Sequence, residues 1–328
     1  MMAATFSRWP ASNMGSHALM YGASSLSSVL GALTADLYLA QQQACLPLVA
    51  FVAKSKNKPF ACDIEDILAE SASEPRALIR AVESDYLPRA TVVSTMSVVA
   101  ADYLNDAYPL SALAQPLHNC PCLAERGDLL SPVNRRRAQS PSIYWFGQTL
   151  GPHSLAIELI RANAIAGNPF RIVLRGKAQP DYLKQIHQSA AACSAADLVE
   201  VLPLVDPSRM VREAAFHDVL FGSQPSQQLF HQLAIGNKVF TGLLAGCAIL
   251  ATDTVAHRQL KQTLPDAILL FDEGPVNSLA KMLAQLVGCE QFLMHMRESA
   301  WKAGTARYNW ETESQAWCTA IERSVCRL

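Results

Sequence analysis

The sequence predicts an α/β protein built on parallel sheets and divided into two domains. Three observations carry that prediction. From residue 35 onward, short apolar runs alternate with amphipathic stretches, the pattern of successive β-α-β units. Apolar runs such as Ala248-Ile-Leu250 are continuous, which suits strands buried on both faces. The length, 328 residues, is about twice that of an ordinary domain.

The elements follow in order. Residues 35–40 read as a strand, and 46–55 as a helix opened near Pro47 and closed by Lys54, Lys56 and Lys58, cations that suit the negative end of a helix dipole. Residues 59–63 form the next strand, 75–85 a helix with Leu78, Ile79 and Val82 on one face, 91–95 a strand, 98–104 a helix and 115–119 a short strand. Residues 123–141 lose periodicity; with Asn134-Arg-Arg-Arg137 and Ser140-Pro141 they read as a solvated linker. The alternation then restarts. Strands are expected at 143–146, 171–174, 198–202, 218–221, 248–251 and 267–271, with helices at 154–166, 179–192, 207–215, 237–246, 255–263 and 275–287. The tail from Gln291 to Cys326 is helical in two pieces, broken near Tyr308-Asn309.

Composition narrows the function. Half of the residues are hydrophobic and 17% are charged, which excludes a disordered chain. Lys+Arg 27 against Asp+Glu 28 leaves a net charge of −1, so nothing draws the chain onto nucleic acid. The 9 cysteines are irregularly spaced, and Cys120-Pro-Cys122 is the one close pair, so reduced thiols in a cytoplasmic compartment are expected. Residues 1–31 lack the basic start and unbroken apolar core of a signal peptide, and the apolar stretch 45–53 is too short to span a bilayer. No Gly-x-Gly-x-x-Gly, P-loop lysine, His-Glu-x-x-His or Gly-x-Ser-x-Gly motif occurs, which disfavours hydride transfer and P-loop chemistry.

Parallel sheets bind ligands beyond the carboxyl ends of their strands, so the residues that follow each strand matter most. Arg175-Gly176-Lys177 offers two cations for a diphosphate or forms an incidentally charged turn. Gly147 and Gln148, ahead of Gly151, let backbone approach a phosphate or make an ordinary strand–helix turn. Asn237 and Lys238 open a helix as an anion cradle, or Asn237 simply caps it. Asp63-Ile-Glu65-Asp66 gathers three carboxylates that raise one another's pKa and can serve as a base, or it is a solvated acidic turn.

The order of these motifs resembles the GT-B glycosyltransferases, above all their retaining, glycogen-synthase-like group of bacterial polysaccharide and glycolipid enzymes. The resemblance rests on Tyr144-Trp-Phe-Gly-Gln-Thr-Leu-Gly151, Arg171-Ile-Val-Leu-Arg-Gly176, Val201-Leu-Pro203, Asp218-Val-Leu, Asn237-Lys-Val-Phe-Thr-Gly-Leu-Leu-Ala-Gly246, Leu250-Ala-Thr-Asp253 and the closing Tyr308-Asn-Trp-Glu311. In the early domain it rests on Ala35-Asp-Leu-Tyr, Asp63 to Asp66, Ala90 to Thr95 and His118-Asn-Cys-Pro121, and it covers roughly residues 35 to 325.

The resemblance implies two Rossmann-like domains facing a cleft. Residues 1–130 would form an acceptor-side domain, 142–310 a nucleotide-sugar-binding domain, and 311–328 a closing helix that packs back toward the first. The first domain is expected to be shortened, because its first glycine-rich loop has no counterpart. The implied reaction is sugar transfer from a nucleotide sugar to a glycan or lipid-linked acceptor, independent of metal and with no cofactor. It would belong to polysaccharide biosynthesis, in the cytoplasm or peripherally at the inner membrane surface. Asp63, Glu65 and Asp66 would be the catalytic set; Gly147, Gln148, Arg175, Gly176, Lys177, Leu204, Val205, Asn237, Lys238 and Thr241 would hold the donor. The sequence departs from the group's pattern in four further places. Thr241 and Leu233 stand where two glutamates are usual, the 148–153 loop carries His153 in place of Arg and Lys, and Glu65 stands where a histidine is usual. Three readings remain: an active glycosyltransferase, a degenerate or truncated relative that binds a nucleotide sugar or a partner, and an epimerase on the same scaffold.

Overall fold

A computed structural model describes residue 19 and residues 23–136 and 140–326. Arg137, at the end of the expected linker run, lies outside the described residues. The chain forms two compact units. One comprises the chain up to His118 together with Gln228–Ala234 and Ser314–Leu328; the other comprises Asn119–Gln227 and Ile235–Glu313.

The first unit runs α1 (Ala23–Ala32), β1 (Tyr38–Gln41), α2 (Gln42–Ser55), β2 (Phe60–Ile64), α3 (Arg76–Tyr86), β3 (Val92–Thr95), α4 (Val98–Ala107) and β4 (Gln115–Pro116). Its strands make a parallel sheet in the order β1-β2-β3-β4. Helix α2 begins four residues before the expected start and keeps Pro47 inside it. Burial of Leu46, Leu48, Val49, Val52 and Ala53 outweighs the proline's lost hydrogen bond, since each fully buried large side chain contributes about 1.5–3 kcal/mol. Strand β4 is two residues rather than five; Pro116 sits on this edge strand opposite Thr95, and the Leu117 N–H after it makes the last bond to Thr95 O at 2.7 Å. Ser97 caps α4 by accepting the Ala100 N–H at 2.9 Å.

The second unit starts with α5 (Leu123–Arg126), then β5 (Ser142–Leu150), α6 (Ala156–Ile165), β6 (Arg171–Ala178), α7 (Pro180–Ala192), β7 (Val199–Leu202), α8 (Met210–Ala214) and β8 (Val219–Gly222). Helix α9 (Leu229–Leu233), which belongs to the first unit, intervenes. Next come α10 (Asn237–Ala245), β9 (Ala248–Thr252), α11 (Val255–Thr263), β10 (Ile268–Phe271), α12 (Val276–Gly288), α13 (Glu290–Ala306) and α14 (Trp310–Cys326), whose residues from Ser314 on belong to the first unit. The six parallel strands are ordered β10-β9-β8-β5-β6-β7. The chain therefore winds outward from β5 to β7, returns to β8 beside β5, and winds outward again. The β5/β8 boundary is the switch point where such sheets form a ligand crevice.

Two arginines of the segment expected as a solvated linker are built into the second unit, while Asn134 and Arg136 are exposed. Arg126 is 7% exposed. It donates to Leu244 O at 2.9 Å and Thr305 Oγ1 at 2.6 Å, and lies 3.5 Å over the Trp301 ring. Arg135 donates to Leu130 O and Ala215 O, at 2.7 and 3.1 Å. The break in the tail is made by Asn309, which is fully buried. Its amide closes α13 by donating to Gly304 O and Thr305 O, both at 3.0 Å, and its side-chain carbonyl opens α14 by accepting the Thr312 N–H at 3.0 Å.

All nine cysteines are free thiols. Among the described residues no helix is long and apolar enough to cross a membrane, and no group of three or more His, Cys, Asp or Glu is placed to hold a metal ion.

Candidate functional site

In the first unit the acidic residues sit where β2 ends. Parallel pairing sets Asp63 opposite Ser94 of β3. Ser94 Oγ donates to Asp63 Oδ1 at 2.6 Å, and Trp317 Nε1, carried by α14, donates to Ser94 Oγ at 3.1 Å. Burial pushes the Asp63 carboxyl above its usual range, the Ser94 hydrogen bond opposes the rise, and Glu65 adds to it. Burial, then Glu65, raises Asp66 as well. The Asp66 carbonyl accepts from Gln43 Nε2 at 3.0 Å, and Gln43 also donates to Glu83 at 2.9 Å. Asp63, Glu65 and Asp66 are all half-buried, so the acidic turn is a packed edge of the sheet. A carboxylate with a raised pKa at a strand's exit is a stronger base than an exposed one.

In the second unit the switch point gathers the loops after β5 and β8. Ser223 Oγ donates to Ser154 O at 2.7 Å and ties the two loops together. The Gln224 N–H donates to Thr252 Oγ1 at 3.0 Å and adds the end of β9. The Lys238 ammonium, in the first turn of α10, stands 5.3 Å over the Trp145 ring. Burial lowers its pKa to about 8. Burial also lowers His153, and the Lys238 charge lowers it further. His257 donates from Nδ1 to Thr252 O at 2.8 Å, which leaves Nε2 as a buried acceptor with no hydrogen-bond partner among the described residues. Burial brings its pKa down to about 4. The switch point therefore places the Lys238 cation in the first turn of α10, which favours an anion, with the neutral His257 imidazole buried in the first turn of α11.

The other expected donor residues distribute as follows. Arg175 is committed internally: Nε donates to Tyr144 Oη at 2.8 Å, Nη1 to Pro203 O at 2.9 Å, and Nη2 pairs with Glu213 at 2.8 Å. It locks β6 to the loop after β7 and to α8. Lys177 is exposed, on the β6 edge opposite Thr149. Gly147 and Gly176 are required by packing. A Cβ on Gly147 would meet the Trp145 ring at 2.7 Å, and one on Gly176 would meet Gly147 O at 2.7 Å. Gln148, at the irregularity between Phe146 and Thr149, is exposed. Leu204 is exposed and Val205 half-buried in the loop after β7. Asn237 is exposed and does not cap α10; the N-cap is Gly236, which offers no side chain. Thr241 is buried and donates back to Asn237 O at 3.1 Å.

Sequence reasoning missed Ser94, Trp317 and His257. Trp317 is 223 residues from Ser94, and no local pattern links them. His257 had one available signal, its place three residues after Thr254, which caps α11 by accepting the His257 N–H at 3.2 Å.

No protein-family model matches the sequence, and a search of curated proteins finds no match. Solved structures do match over nearly the full chain. HepE of Anabaena, solved with UDP and glucose, superposes with a TM-score of 0.74 at 18% identity, over 96% of this chain and 84% of its own. The fold is GT-B. Two further GT-B structures agree. Sucrose-phosphate synthase from Thermosynechococcus elongatus gives a TM-score of 0.70 at 13% identity, covering 93% of this chain and 78% of its own. A glycosyltransferase from Rickettsia africae gives 0.72 at 10% identity, covering 92% and 80%. Within the GT-B arrangement the first unit carries the smaller sheet, four strands against six.

Proposed function

We propose that this GT-B chain transfers a sugar, of hexose type, from a nucleotide sugar to a glycan or lipid-linked acceptor without a metal ion. The observation that carries the reading is the likeness to HepE, itself solved with UDP-glucose, at a TM-score of 0.73 over 92% of this chain. The switch-point chemistry of the second unit supports it. Lys238 would meet the donor's phosphates at the α10 N-terminus. Arg175 would shape the site from behind, since its guanidinium is already engaged. Asp63, with Glu65 and Asp66 beside it, would take the acceptor's proton. The acceptor oxygen bonds to the sugar's anomeric carbon, the bond from that carbon to the diphosphate breaks, and its electron pair leaves with the nucleotide, whose charge Lys238 offsets. Peripheral membrane contact would bring a lipid-linked acceptor to the first unit.

The test is calorimetry with UDP, UDP-glucose and diphosphates of the other bases. The reading expects one of them to bind and its sugar to be released on turnover; binding by none would overturn it. A second reading has its own observation. Thr241, which stands where the resemblance expects a carboxylate, satisfies its hydroxyl within its own helix. A chain that binds a nucleotide sugar without turning it over would show calorimetric binding and no sugar release, with Glu65→Ala indistinguishable from the parent.

A further inference from the structure

The hydrogen-bond chain at the end of β2 and β3 has only one direction. An indole N–H can donate and cannot accept; a carboxylate can accept and cannot donate. Ser94 lies between the two and is fully buried. Because Trp317 donates to its oxygen at 3.1 Å, its one proton is left for Asp63 Oδ1, 2.6 Å away. Asp63 Oδ2 accepts no hydrogen bond among the described residues. All three residues belong to the first unit, although Trp317 comes from the chain's last helix.

We propose that Trp317 and Ser94 are positioning residues for Asp63: the indole fixes the serine hydroxyl, which holds one carboxylate oxygen and leaves the other to receive a proton. This rests on the glycosyltransferase reading for what delivers that proton, and on geometry alone for the relay. The bond from Ser94 is charge-assisted only while Asp63 is ionised; protonation reduces it to a neutral one. Donation from Trp317 polarises the hydroxyl and strengthens its bond to the carboxylate. The relay therefore favours the anion, opposing burial and the charge of Glu65, which both favour the acid. The remaining partner in register, Gln41 of β1, is uncharged.

Two measurements test this on the full chain. In the first, the indole N–H resonance of Trp317, identified by its loss in Trp317→Phe, is followed against pH without substrate. It should titrate once, and the titration should vanish in Asp63→Asn and in Ser94→Ala. A resonance indifferent to both substitutions overturns the relay. In the second, turnover of UDP-glucose is followed against pH. Trp317→Phe and Ser94→Ala should each move the acidic limb of kcat upward by about one pH unit, a tenfold gain in proton affinity, with KM unchanged. Ser94→Thr, which keeps the hydroxyl, should restore the limb. An unmoved limb in a folded Trp317→Phe overturns the relay. A resonance that tracks Asp63 in a protein that turns over no donor upholds the relay and overturns the glycosyltransferase reading instead.

Discussion

Arg297 Nη1 sits 2.6 Å from Asp218 Oδ1 and joins α13 to the start of β8. Arg297 Nε also reaches Gly246 O at 3.3 Å, and Asp218 Oδ2 accepts the Ser142 N–H at 2.9 Å. The pair thus pins the helix that follows the sheet to the mouths of its two central strands, on the side opposite the switch point. Removing Arg297 leaves the Asp218 carboxylate, its side chain 21% exposed, without its counter-charge. Arg297→Leu should lower stability by about 3 kcal/mol, read as a drop in urea midpoint; an unchanged midpoint would show the pair to be idle.

Gly304 marks where α13 and α10 meet at backbone distance. A Cβ there would lie 2.7 Å from Leu243 O and from Leu244 Cα. Neither obstacle is a flexible side-chain end, so Gly304→Ala should cost about 1–3 kcal/mol despite alanine's better helix propensity. A thermal melt that rises on substitution would mean the helices can part without loss.

Two histidines, His257 buried and His217 half-buried, give the fold a defined acid response. His217 stacks on Tyr144 at 4.6 Å, and burial, then Arg171 and Arg175, lower its pKa to about 4. His257 is lowered to about 4 as well, mainly by burial. Their unfolded values lie near 6.5, so between those limits the unfolded chain binds the protons and stability must fall as pH falls. With both groups contributing, the steepest loss approaches about 3 kcal/mol per pH unit. Urea midpoints at pH 7, 6 and 5 should trace it, and His217→Phe, which keeps the stacked ring, should roughly halve the slope. An equal slope in that variant would remove His217 from the account.

Lys238 should make anion binding fall in alkali. Its pKa of about 8 means that the ammonium is charged below that value and increasingly neutral above it. UDP affinity should drop about tenfold between pH 7 and 9 in the parent, while Lys238→Ala should bind about tenfold more weakly at pH 7 and show no such drop. Arg136→Ala should leave affinity alone, because Arg136 is exposed on the strand-entry side of the segment before β5. Equal losses in both variants would place the phosphates elsewhere.

The second sheet was legible because its strands β8 and β9 are buried on both faces. Ala248 to Thr252 carry no exposed residue, so an unbroken apolar run is the only sequence that fits. The tail break was legible because Asn309 is a residue type that caps. Other features depended on partners far along the chain. Arg175 looked like a phosphate ligand because it stands at a strand's end, and its capture by Glu213 depends on a helix 38 residues later. Arg135 looked solvated because its neighbours are polar; the Trp301 ring, 5.2 Å away, is what draws it in. Helix α9 was missed because five residues are too few to show a period.

The composition of the first unit has a consequence for how the protein is made. Its β-sheet is complete once the ribosome has passed Pro116, yet α9 and the Trp317 indole that reaches Ser94 are translated much later. Ser97 Oγ, which caps α4, donates to Leu233 O, so even that helix start gains its last partner only after most of the second unit exists. The first unit's sheet thus gains its last hydrogen-bond partners only once α9 and the segment carrying Trp317 have followed it out of the ribosome.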